Sequence, residues 1–276
     1  MIIENPAEAE KFLKQVNYYR FSAYCFPFQN PHDVFLPDTT FTKVKELYQL
    51  DAALRAGLLV IMAPVEIFIR TRIVYELSHG WGAFIHYGPG NFRDDFNHAE
   101  WVTSIEEEIK RGKEEYLEHY KNKYKGFPRL PLWMTCEVMS MGSISLLFKG
   151  LMPDHQRRIC SGLGIQQFVM ASWLHHITYM RNICAHHNRL WNRELSIRPF
   201  VLRKDKSWLA LNLDPAHVFT TIAILEWICR KAGLPLCDIE PVFEVMNRIA
   251  ALDPRFSSWM GIPDGRTAGW CWEVAE

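Results

Sequence analysis

The sequence predicts an all-α protein, and three observations carry that reading. Apolar residues recur at spacings of three and four over long segments, the period of helices with one buried face. Apolar/polar alternation over strand lengths is nearly absent, with at most short strands near 198–211. A capping Asn or Asp followed directly by proline, a helix-opening signal, stands at Asn5-Pro6 and again at Asp214-Pro215.

The elements follow in chain order. Asn5-Pro6 opens a helix to about Arg20. Pro27, Pro31 and Pro37 make residues 22–40 a loop. Val44, Leu47, Leu54, Leu58 and Ile61 predict a long helix from about Thr42 to Leu77, with Pro64 expected to kink or split it. A loop over Gly80 to Asn97 precedes a charged helix over 98–122. Pro131 opens an apolar helix to about Lys149. The next helix is predicted from about Gly164 to Leu195, another from Asp214-Pro215 to Gly233, and a short one over 241–252. Pro199 and a basic run mark a weak boundary near 198–214. Residues 1–200 are therefore expected to form a helical domain, and residues 201–276 a helical C-terminal extension packed on the same core.

Composition narrows the function. With 49% apolar residues in 276, the chain can bury a core, which excludes a disordered chain. The 31 basic side chains balance 31 acidic ones, so any nucleic-acid site must be a local patch. The longest uninterrupted apolar stretch, Ala56 to Val65, is short of the ~18–20 residues of a membrane span, and no membrane partner is expected. The N-terminus lacks the basic start and apolar run of a signal peptide. Seven scattered cysteines (25, 136, 160, 184, 229, 237 and 271), with no C-x-x-C pair, argue for reduced thiols and a cytoplasmic location.

The most informative segment is GIQQFVMASWLHHITYMRNICAHHNRLWNREL, residues 164–195. Trp173, Ile177, Met180, Cys184, His187, Trp191 and Leu195 form an a/d-type seam facing a core or a partner helix. His187, on that seam, reads as a hydrogen-bonded core histidine. Asn182, His186, Arg189 and Arg193 form a polar stripe, with Arg181 one position to its side. Imidazole exchanges a proton near neutrality, and guanidinium forks match phosphate oxygens, so this kit suits phosphodiester chemistry. The same stripe reads equally as the solvated face of a core helix.

Arg181-Asn-Ile-Cys-Ala-His186 resembles the R-x4-H motif of HEPN-superfamily ribonucleases, and RNICAHHNRLWNRE is similar to the Abi-like family of bacterial abortive-infection proteins. Tyr18-Tyr19-Arg20, Asp51 with Leu54-Arg55, Glu66 with Arg70 and Arg72, Pro131 and Trp133 with Glu137, Gly142 and Trp173 fit that family in order. The resemblance covers roughly residues 12–200. It implies a HEPN-like helical bundle with long loops and a metal-independent endoribonuclease acting in anti-phage defence. By that analogy His186 is the general acid/base for attack of the ribose 2′-hydroxyl on the adjacent phosphate. Arg181 holds the phosphate, Asn182 orients either group, and the products are a 2′,3′-cyclic phosphate and a 5′-hydroxyl. A homodimer is implied, with the motifs paired across a two-fold axis. An inhibitory RNA or an antitoxin is a further partner of this class. Arg181 and His186 are five residues apart, about 140° around a helix, which suits a cleft fed by two helices.

Other candidates carry two readings. Glu66 and Arg70, at i,i+4, are a structural ion pair or supports of the site. His175-His176 and His186-His187 are about 16 Å apart along a helix, too far to share an ion, so no metal and no cofactor is expected. Seven Lys/Arg against two acids over 181–206 make Arg189 and Arg193 candidates for RNA-backbone contact, and 110–129 holds seven against three Glu. The leading expectation is an endoribonuclease. The alternative is a non-catalytic module binding RNA or a protein partner, and a metal-dependent hydrolase stands third.

Overall fold

The computed structural model describes residues 1–236 and 238–272. Cys237, counted among the seven cysteines, and residues 273–276 of the expected extension lie outside the described residues. Thirteen α-helices and no strand appear among them: α1 (Pro6–Gln15), α2 (Tyr18–Cys25), α3 (Phe41–Trp81), α4 (His98–Arg111), α5 (Glu115–Lys123), α6 (Leu132–Val138), α7 (Met141–Gly150), α8 (Pro153–Cys160), α9 (Gln167–Ala185), α10 (Lys206–Ala210), α11 (Val218–Ala232), α12 (Glu240–Leu252) and α13 (Arg255–Trp259). The fold is all-α, as the periodicity predicts.

The long helix α3 organises the rest. Val44, Leu47, Leu54, Leu58, Ile61, Val65, Ile69, Ile73 and Leu77 recur at helical spacing and are buried along its whole length. Helices α2, α6, α7, α8, α9, α11 and α12 cover it. By length and composition α3 is also apolar enough to cross a membrane. Here its buried stripe is a protein core. Helix α12 approaches closely at Gly57, where a Cβ would stand 2.6 Å from Val242 Cγ2.

Several breaks differ from the sequence expectations. The N-terminal segment is two helices, because Val16 is extended and the Asn17 side chain caps α2 by accepting from the Tyr19 amide at 2.9 Å. Gly112 separates α4 from α5, and Ser140, capping Ser143, separates α6 from α7. Pro64 does not split α3. The carbonyl it deprives of a bond belongs to Val60, on the exposed face, where water can serve it. Asp214 turns the chain by capping Ala216 at 2.9 Å, so α11 opens three residues after Pro215. Helices α8, α10 and α13, each eight residues or fewer, carry too little periodicity to be read from sequence.

The a/d seam of α9 is covered within the one chain. Trp173, Ile177, Met180 and Cys184 on α9, and Trp191 and Leu195 in the loop after it, are all buried. Trp173 packs against Trp208 at 5.4 Å and Trp227 at 5.1 Å, and its indole Nε1 donates to the Phe200 carbonyl at 2.8 Å. Of its two expected readings, core or partner helix, the seam takes the core, closed around Trp173 by residues of the C-terminal part.

Candidate functional site

The helix carrying the Arg/His motif stops inside it. Helix α9 ends at Ala185, and its last carbonyls are closed by a Schellman pattern: the His187 amide donates to the Cys184 carbonyl at 3.1 Å, and the Asn188 amide to the Ile183 carbonyl at 3.0 Å. The residue in the left-handed conformation is His187, with φ of 56°. Glycine usually fills that position, and its absence hides the stop from sequence. Two corrections follow. His187 is exposed rather than in the core. Arg189 and Arg193 lie in the following loop, not on a helical stripe. The hydrogen-bonded core histidine is His176, whose Nδ1 lies 2.6 Å from the Ile197 carbonyl and Nε2 2.8 Å from Thr221 Oγ1. Burial lowers its pKa to about 4.

A buried carboxylate holds the loop in place. Asp51 of α3 is fully buried; its Oδ1 accepts from the backbone amides of Trp191 at 2.8 Å and Leu190 at 3.2 Å. Its Oδ2 accepts from the Tyr24 hydroxyl at 2.6 Å and from Arg55 Nη1. Burial and the neighbouring Asp51 charge raise the Tyr24 pKa. Burial works against the Arg55 charge, but the Asp51 carboxylate holds the guanidinium above its ordinary value. Helix α2 adds two latches: Arg20 donates to the His187 carbonyl, and Arg189 Nη1 to the Ala23 carbonyl at 2.5 Å. Segments distant in sequence therefore converge on residues 187–191.

Against that background Arg181, Asn182 and His186 stand out. All three side chains are exposed. None makes a side-chain hydrogen bond or ion pair among the described residues, whereas Arg20, Arg55 and Arg189 are all engaged. Arg193, half-buried, is also without a side-chain partner. Of the neighbouring basic run, Arg198 pairs with Glu194 at 2.6 Å. Burial pushes the Cys184 thiol, next to the motif, up to about 12, which removes it as a nucleophile at neutral pH.

Glu66 and Arg70 take the structural reading. They pair at 2.5 Å on α3, and Arg70 also donates to the Cys136 carbonyl of α6. Neither bonds to Arg181 or His186. The charged pair beneath the motif is instead Asp51 and Arg55, which has the same i,i+4 signature in an equally apolar helix. Among the described residues no cluster of three or more His, Cys, Asp or Glu is arranged to hold a metal ion.

No curated protein and no solved structure matches the chain. The family model described as Abi-like protein matches residues 11–192, well over half of the chain. The match runs from α1 to the residue after the two amides that Asp51 holds. The chain belongs to the Abi-like family, which implies an abortive-infection-related function.

Proposed function

We propose that the chain is a metal-independent endoribonuclease of the HEPN type, acting through Arg181 and His186. One observation carries the reading: around a loop where the other arginines named above are mostly bonded to the protein, these two groups are exposed and unspent. The His186 imidazole accepts the proton of a ribose 2′-hydroxyl as that oxygen attacks the adjacent phosphorus. The bond from phosphorus to the 5′-oxygen breaks, leaving a 2′,3′-cyclic phosphate, and the departing oxygen takes a proton from water or from the second His186 of a dimer. The Arg181 guanidinium stabilises the charge on the phosphoryl oxygens. Asn182, one turn before His186, orients either group. Imidazole and guanidinium supply the proton transfer and the charge, so no step calls on a metal ion.

A homodimer belongs to this proposal, through a surface other than the α9 seam. Diluting the enzyme while following mass and specific activity together tests it. Constant activity per protomer across dissociation refutes a composite site.

The main test incubates the purified protein with total RNA, with and without EDTA. His186→Ala and Arg181→Ala should each abolish cleavage and leave the melting temperature nearly unchanged, since exposed substitutions cost within about 0.5 kcal/mol. Wild-type cleavage by either variant refutes the assignment. Complete loss in EDTA, restored by a divalent cation, promotes a metal-dependent hydrolase instead.

A further inference from the structure

Two tyrosines beside the His186 loop have no part in the chemistry above. Tyr18 and Tyr19 open α2 with side chains 68% and 83% exposed, and their rings meet edge to face with centroids 5.7 Å apart. The Asn17 cap fixes this first turn. Tyr19 is the immediate neighbour of Arg20, which donates to the His187 carbonyl. It also stands one turn before Ala23, on the same flank of the helix, and the Ala23 carbonyl receives Arg189. Tyr18 and Tyr19 also line a mostly apolar cleft of about 540 Å³ with Ser22, Phe26 and Phe35. Two latches thus tie the helix that carries this open aromatic pair to residues 187–189, next to His186.

We propose that Tyr19, backed by Tyr18, is a stacking platform for an unpaired base of the RNA substrate. The inference rests on the endoribonuclease reading and names the substrate class of that site: single-stranded RNA. An exposed aromatic ring next to cations is the arrangement that binds single strands, because every base has a π-face and every nucleotide a phosphate. The His187 carbonyl occupies one of the five N–H donors of Arg20, and the others remain for a phosphate. In a duplex the base faces are stacked on each other and unavailable to Tyr19. The platform therefore confines cleavage to unpaired segments.

Fluorescence anisotropy tests this with a short fluorescein-labelled oligonucleotide carrying 2′-fluoro in place of every 2′-hydroxyl, which can bind but not react. The wild type should bind the free strand more tightly than the same strand annealed to its complement. Tyr19→Ala should weaken the free strand about 5- to 150-fold, the range of one lost base–aromatic stack, while Tyr19→Trp stays near wild type. With cleavable RNA the alanine variant should raise KM and leave kcat unchanged. A wild type that cleaves RNA, with Tyr19→Ala binding the free strand equally well or the duplex binding as tightly, overturns the platform alone. A wild type that neither binds nor cleaves RNA overturns the platform and the endoribonuclease reading together.

Discussion

Replacing Asp51 with alanine tests whether the carboxylate holds the loop that follows α9. The side chain is fully buried and accepts from two backbone amides, a tyrosine hydroxyl and a guanidinium. Removing it leaves the Arg55 charge, itself only 6% exposed, without its counter-ion. Breaking one side of a buried pair costs about 3–5 kcal/mol. The amides of Leu190 and Trp191 lose their acceptor as well, at about 1–3 kcal/mol for each amide that water does not reach. With one amide left unserved the loss is about 4–8 kcal/mol, a large share of the 5–15 kcal/mol typical of a folded protein. At about 2–4 °C per kcal/mol, the melting temperature should fall by roughly 8–30 °C. Thermal and urea unfolding followed by circular dichroism measure the loss. Asp51→Leu combined with Arg55→Met, which removes both charges and keeps apolar volume, should recover more than half of it. A fall of less than about 3 °C for Asp51→Ala, on the same scale, refutes the idea that this network organises residues 187–191.

Three further outcomes are expected. Burial lowers the pKa of His86 to about 3, with Arg129 adding to the effect, and that of His176 to about 4. As pH falls below about 6.5 the unfolded chain protonates at both sites while the folded chain stays neutral. Stability is therefore full above that pH and is lost toward the folded values, at about 1.4 kcal/mol per pH unit for each histidine. A melting temperature unchanged between pH 7 and pH 5 contradicts this. His187→Gly should melt a few degrees above His187→Ala, because glycine escapes the left-handed strain of about 1–2 kcal/mol and gives back only part of it as chain entropy; equal melting temperatures would show that the turn is unstrained. Trp173→Ala should cost about 3–5 kcal/mol in urea unfolding by opening a cavity among Trp208 and Trp227. A loss below 1 kcal/mol would mean that the surrounding helices collapse into the space.

The helical class and the length of α3 were legible because one buried face imposes a period of 3.6 on any long helix. Helix ends were not, where the chain uses unusual means. Val16 interrupts two helices without glycine or proline, and His187 takes the left-handed turn. Arg181 and His186, the proposed catalytic pair, were singled out by resemblance alone, and the structure adds that both are exposed. Their support was harder to read. Asp51–Arg55 and Glu66–Arg70 look alike in sequence, each an acid and an arginine four apart on one apolar helix. Only the folded chain shows that the first pair meets amides 139 and 140 residues away and the second meets a carbonyl of α6. Arg189 shows the converse. A basic residue at the right spacing for RNA is tied through one donor to the Ala23 carbonyl, a partner no local pattern reveals.

The tryptophan cluster around Trp173 separates two kinds of boundary. The region shared with the family stops at residue 192, yet the surface of α9 that must be kept from water is closed by Trp208 and Trp227, both beyond that limit. A unit of descent is here smaller than a unit of folding. In this chain the residues after 192 supply the apolar surface that closes α9 around Trp173. A chain cut at residue 192 would present the indole of Trp173 and the apolar flank of α3 at Gly57 to solvent, and the likeness that defines the family would not be sufficient to keep it in solution.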